Sequence, residues 1–279
     1  MKTIVIALAL ALALTLGGCA LAEGGVADAS IMTDVIDVVE EGMEPVTAEH
    51  LNEGTYEVAV DSSSSMFKIT GCALTVADGA MSARLTMKSD SYLYLYPGTA
   101  EAASAADEAE LIPLETEGDA FCFTFPVPAL DAGVECAAYS ARKQVWYPRT
   151  LLFRSDSLPA GAWGAENLVT AQTLGLADGV YAVEATLEGG RATVESPATL
   201  TVADGACTAD IVFSTKKIDY VVVDGEKYLP ADGEGNAAFT IPVSGFDRRL
   251  SIVVDSTAIL PATEVHYTIL FDSGTIEPR

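Results

Sequence analysis

The heptapeptide "LTVADGA" occurs twice, at Leu74–Ala80 and at Leu200–Ala206, and this recurrence limits the possible folds more than any other feature of the chain. Flanking pieces recur in the same order. "GTYEVAV" from Gly54 answers to "GVYAVEA" from Gly179, "FTFPVPALD" from Phe123 to "FTIPVSGFD" from Phe239, and "RTLLFRSDSL" from Arg149 to "YTILFDSGTI" from Tyr267. Repetition at one small-domain length is the mark of a tandem duplication.

Each copy reads as strands. "YEVAV", "LTVADGAMSARLTM", "YLYLY", "FCFTFPV" and "TLLF" in the first copy, and "TLTVADGACTADIVF", "DYVVVDG" and "AAFTIPV" in the second, alternate or run apolar between Gly, Asp and Pro. "ADG" between two such runs is a hairpin signal. About seven short strands in roughly 100 residues predict an all-β chain of two tandem immunoglobulin-like β-sandwiches. The expected boundaries are a signal peptide at 1–18, an acidic stalk at 19–53, sandwiches at 54–158 and 178–279, and a linker at 159–177. A weak helix is expected around "IMTDVIDVVEE" in the stalk, and a short one in the first copy's Ala-rich insert, "GTAEAASAADEAELIPLETEGD".

The N-terminus points to export. Met1 and Lys2 precede the apolar run Ile4–Leu16, which is shorter than the ~20 residues of a membrane span and suits a signal-peptide core. "LGGC" at Leu16–Cys19 resembles the lipobox of bacterial lipoproteins, which implies cleavage before Cys19 and lipid on its sulfur. The expected location is the outer face of the bacterial cell membrane, with the membrane touched only through the lipid anchor. "ALA" at Ala20–Ala22 offers the alternative of ordinary cleavage and secretion.

A formal charge of −25, with no Lys or Arg between Lys2 and Lys68, argues against nucleic acid and anionic headgroups as partners. Against this background Arg142, Lys143, Arg149 and Arg154 form a basic cluster in sequence. Cys72, Cys122, Cys136 and Cys207 follow Cys19; export permits a Cys122–Cys136 disulfide, and buried free thiols are the alternative. The chain has two histidines and lacks GxSxG, HExxH, a phosphate-binding glycine loop or paired metal-ligand spacing, so an enzyme is not expected.

Aromatic positions favour binding. Period two in "SYLYLYPG" places Tyr92, Tyr94 and Tyr96 on one face and Leu93 and Leu95 on the other. Three tyrosines on one face make a wall for a flat, largely apolar ligand. "YSARKQVWYPRTLLF" adds Trp146, Tyr147 and the basic residues, which suit acidic edges on such a ligand.

The order "GTYEVAVDSSSSMF … LTVADG … SDSYLYLY … FTFPV … WYPRTLLF" resembles the near iron transporter (NEAT) domains of Gram-positive surface proteins, in both copies. The resemblance implies an immunoglobulin-like sandwich with a haem groove between a short helix after the first strand and the last hairpin. In the family that helix carries a Ser and, five residues later, a Tyr. Ser62 and Phe67 hold that spacing here, with Met66 beside the porphyrin position, whereas the second copy has "TLEGGRATVES". The family's Tyr-x-x-x-Tyr on the last hairpin, whose first Tyr ligates iron, is missing from both copies. The second copy has Thr263 and Tyr267 at that spacing, with Tyr220 as a further candidate contact, and the first offers Tyr147 as the axial ligand or Tyr139 upstream. The expectation is haem or porphyrin capture through the first sandwich, with relay to haem-transport proteins, or else another flat apolar ligand. The alternative is a structural or adhesive surface module that recognises protein or glycan without haem.

Overall fold

A computed structural model describes residues 25–27, 35–257 and 263–279. The segment Leu16–Cys19, expected to act as a lipobox, lies outside the described residues. The fold is all-β, with four antiparallel five-stranded sheets arranged as two immunoglobulin-like sandwiches.

In the first sandwich, one sheet has the order β1 (Gly54–Glu57), β3 (Ile69–Ala77), β4 (Ala80–Met87), β8 (Ala120–Pro126), β7 (Glu115–Glu117). The facing sheet runs β2 (Val60–Ser62), β10 (Trp146–Phe153), β9 (Gly133–Ser140), β5 (Tyr92–Tyr96), β6 (Ile112–Pro113). The second sandwich repeats the plan. One sheet is β17 (Ala238–Pro242), β14 (Ala206–Val212), β13 (Ala198–Ala203), β11 (Gly179–Val183), β20 (Glu277–Pro278). The other is β12 (Ala185–Glu188), β19 (Thr263–Phe271), β18 (Leu250–Ser256), β15 (Ile218–Val223), β16 (Glu226–Tyr228). Each encloses its own core, with Leu74, Leu85, Phe123 and Phe125 in the first and Leu200, Ile211, Phe239 and Ile241 in the second.

The duplication holds at the level of register. Gly54 pairs with Val76 and Tyr56 with Leu74; Gly179 pairs with Val202 and Tyr181 with Leu200. Both "ADGA" segments close two-residue hairpins, Ala77 pairing with Ala80 and Ala203 with Ala206. Asp78 and Gly79 have φ of 51° and 72°, and Asp204 and Gly205 have 51° and 78°. Two consecutive left-handed residues match the twist of the flanking strands, which is why Asp-Gly occupies both turns. A second matched device ends each sandwich. Asp131 accepts hydrogen bonds from Ser155 N at 2.8 Å and Ser155 Oγ at 2.5 Å, and Asp247 accepts the same pair from Ser273 at 2.7 and 2.5 Å.

The insert forms α1 (Ala100–Ala105), capped by Thr99, whose hydroxyl accepts from Ala102 N at 3.1 Å. Ala100 and Ala103 pack onto Ala137, Tyr139 and Trp146, covering the outer face of the β9–β10 sheet. The stalk differs from expectation. Residues 35–40 have no helix, and the rest of "IMTDVIDVVEE" that falls at 31–34 lies outside the described residues. Val46 pairs with Leu130, and Ala48 and Leu51 enter the first core. The expected linker is likewise built in: Ala162 and Trp163 belong to the first core and Ala171 to the second.

Asp131→Ala removes two hydrogen bonds to a carboxylate and is expected to cost about 2 kcal/mol in the first sandwich. Urea unfolding of the whole chain reads this as a lower midpoint for one sandwich, and Asp247→Ala lowers the other.

Candidate functional site

The four serines do not open a helix. Residues 63–68 form a turn, with Phe67 N donating to Ser64 O at 3.0 Å. Ser63 is clasped to β10 in both directions, its N donating to Thr150 O at 2.9 Å and its Oγ accepting from Thr150 N at 2.9 Å. The Ser62 hydroxyl accepts from Ser64 N at 3.3 Å, and the Ser64 hydroxyl from Met66 N at 3.4 Å. The hydroxyls therefore satisfy backbone donors that the end of β2 leaves unpaired. Of the residues expected to face the porphyrin, Phe67 lies in the first core, while Met66 stands 63% exposed on the surface.

The tyrosine wall is divided. The pairing of β5 with β9 slips between Tyr92 and Tyr94, whose partners are the consecutive residues Ser140 and Tyr139. A bulge adds one residue and inverts the alternation of faces. Tyr92 thus turns inward, its ring 5.1 Å from that of Phe67, and Leu93 is exposed. Tyr94 and Tyr96 turn outward beneath the insert, beside Tyr139 and Trp146. The second sandwich has the same slip between Ile218 and Tyr220.

The hairpin residues also go to separate places. Trp146 is fully buried under α1, and Tyr147 points into the first core with 9% exposure. Arg142 and Lys143 sit exposed on the β9–β10 turn. Arg149 is inside the sandwich, 7% exposed, with its guanidinium 5.0 Å from the centre of the Tyr147 ring. It donates to Pro148 O at 2.7 Å and to Tyr92 Oη at 3.3 Å, and its Nε is buried without a hydrogen-bond partner. Among the described residues, the ion pairs that form leave Arg149 without a carboxylate. Arg154 is instead surrounded by three: Asp156 at 2.7 Å, Glu40 at 2.9 Å and Asp61 at 3.2 Å. These partners raise its pKa, the Asp156 hydrogen bond most of all. The basic cluster of the sequence is thus no cluster in space.

In the second sandwich Tyr267 occupies the interior position that matches Arg149 in the first, as the pairings Tyr267–Ile252 and Arg149–Cys136 establish. Its hydroxyl accepts from Ala192 N at 3.1 Å beneath the "EGG" turn. A Cβ on Gly190 would lie 2.2 Å from that oxygen, so the glycine is required for the turn to cross over the ring. Tyr220 is on the surface, donating to Glu264 Oε1 at 2.8 Å with Lys227 Nζ 3.5 Å above its ring. The Glu264 bond heads the causes that push its phenol up to about 12.

These positions leave little surface for a haem. The ring of Tyr147, the residue expected to ligate iron, lies in the first core beside the Arg149 guanidinium, and Phe67, Tyr92, Trp146 and Tyr267 are packing residues. Among the described residues no group of His, Cys, Asp and Glu is arranged to hold a metal ion. A cleft of about 710 Å³ lies between the sandwiches. Its walls carry Asp61, Arg154 and Asp156 from the first sandwich, Glu188, Arg249 and His266 from the second, and Glu40 from the segment preceding both. These residues are scattered along the chain, and the pairing of Arg154 with Glu40 and Asp61, of Arg249 with Glu188, and of β12 with β19 gathers them.

The four described cysteines are free. Cys122 on β8 and Cys136 on β9 do not pair, and the neighbouring strands expected for that pairing belong to different sheets. Burial pushes the thiols of Cys72 and Cys136 up to about 12 and that of Cys207 to about 11.

Two outcomes are expected. Since thiolate is the reactive form, Ellman's reagent at pH 8 leaves Cys72 and Cys136 unmodified in the native chain and titrates both in guanidinium, with half-buried Cys207 reacting before either. Arg149→Met, which removes a buried charge lacking a carboxylate partner among the described residues, is expected to stabilise the first sandwich by about 1 kcal/mol or more, read as a higher urea midpoint; a loss of stability would show that the Tyr147 and Tyr92 contacts outweigh the burial cost. No protein-family model matches this chain, and no curated protein matches it either.

Proposed function

We propose that this chain is an exported, non-enzymatic surface module whose paired sandwiches recognise a protein or glycan, with no part played by haem. The observation that carries the reading is the placement of Tyr147. Its ring is packed in the first core, 9% exposed with the Arg149 guanidinium 5.0 Å from its centre, so it offers a porphyrin little surface; burial of an aromatic side chain of this size is worth about 2 kcal/mol, which favours the packed placement. Recognition is assigned to the cleft between the sandwiches, where carboxylates, two guanidiniums, His266, Ser251 and Thr268 offer hydrogen bonds in a concave setting. The strong negative charge favours partners with basic groups or neutral sugars over acidic ones.

The test has two arms on the whole exported chain. Hemin titration is expected to leave the Soret band of free hemin unshifted, while a shift abolished by Tyr147→Phe would overturn the reading in favour of haem capture. Cell-wall glycan fragments and purified surface proteins are then screened by biolayer interferometry. Binding that weakens at least tenfold in His266→Ala places recognition in the cleft, and binding indifferent to cleft substitutions rules the cleft out.

A further inference from the structure

The joint between the sandwiches is more tightly built than a linker. Asn52 N donates to Ala162 O at 2.8 Å, Asn52 Nδ2 donates to Trp163 O at 2.9 Å, and Gly164 N donates to His50 O at 2.9 Å. These bonds tie the connector to the first sandwich. Five residues later Phe246 N donates to Val169 O at 2.7 Å, tying it to the second. Between these ties lies a single 3-10 turn, Ala165–Asn167.

Two consecutive arginines of the second sandwich reach back across this joint. Arg248 lays its guanidinium over the Trp163 ring, 4.9 Å from its centre, and Trp163 belongs to the first core. The guanidinium is buried deeply enough for its pKa to fall to about 10, with desolvation as the main cause, and its Nε has no hydrogen-bond partner. Gly245 makes room, since a Cβ there would lie 2.9 Å from that Nε. Arg249 turns the other way. It holds Glu188 of its own sandwich at 3.0 Å and donates to Glu41 O at 3.3 Å, in the segment that Glu40–Arg154 and Ile36 N–Ser63 O bind to the first sandwich.

The duplication supplies an independent comparison. Strand pairing aligns Val134–Leu151 with Leu250–Ile269, so Arg248 and Arg249 answer to Ala132 and Gly133 in the first copy. The flanking Asp131 and Asp247 kept the same bonds to serine and the same positive φ, 53° and 59°. Thus the loop is held alike in both copies, and at the joint the second copy has two arginines where the first has Ala132 and Gly133. We propose that Arg248 and Arg249 form a two-point latch that fixes the angle between the sandwiches and thereby the width of the cleft between them. Stacking on the Trp163 face secures the connector side, and the Glu41 contact secures the opposite side. Release of both leaves the 3-10 turn as a hinge.

The latch is read by two measurements that do not depend on any ligand. Trp146 is fully buried elsewhere, so a change in tryptophan emission on altering Arg248 reports on Trp163. Arg248→Ala, and Arg248→Lys, which keeps a charge without the planar stack, are expected to shift the emission to longer wavelength. Arg142→Ala, at the exposed β9–β10 turn, leaves it unchanged. In small-angle scattering, Arg248→Ala/Arg249→Ala is expected to show a larger radius of gyration and a spread of interdomain angles, while both urea transitions of the wild type persist. Scattering superimposable on the wild type, or unshifted emission in both Arg248 variants, overturns the proposal. If the double variant loses a urea transition, the Arg248→Lys emission decides the matter alone.

Discussion

The pairing of β10 with β9 governs the first sandwich. Strand β10 carries large side chains on both faces, and its register sends Tyr147, Arg149, Leu151 and Phe153 inward while Trp146 turns outward. Both faces therefore need cover. The opposite sheet covers one and the acidic insert with its alanine-faced helix covers the other, which accounts for a helix in a domain otherwise made of strands. The second sandwich has Glu264 and His266 at the positions of Trp146 and Pro148, and such a face can meet water without an insert.

Two differences between the copies fall at an interior position and at the junction. The interior site of Arg149 in the first copy holds Tyr267 in the second, and the two solve the same problem differently. The phenol finds a backbone N–H under a glycine turn, whereas the guanidinium relies on a carbonyl, a phenol and an aromatic face. At the junction, Arg248–Arg249 stand where the first copy has Ala132–Gly133, a difference that acts between domains while the flanking Asp–Ser bonds stay the same.

Much of the architecture was legible in the sequence because it rests on local rules. Asp-Gly turns, period-two strands and the repeated segments each act within a few residues, and the structure has them where expected. The binding wall was not legible. A period-two reading assumes an unbroken strand, and one extra residue between Tyr92 and Tyr94 moved Tyr92 into the core. The resemblance implied a short helix carrying Ser62 and Phe67, yet serine hydroxyls serve equally well to clasp a strand end, and Thr150, far away in the chain, settled the outcome. The stalk and linker read as polar spacers because Ala48, Leu51, Ala162 and Trp163 are too dispersed to form a pattern.

By itself the sequence determined two all-β sandwiches with their turns and their duplication, since backbone conformation and alternation of faces are short-range properties. The tertiary structure alone decided which aromatic and basic side chains are free to bind and which hold the fold together. That depends on strand register, a bulge and contacts between residues about a hundred positions apart, and none of these is written in any single stretch of the chain.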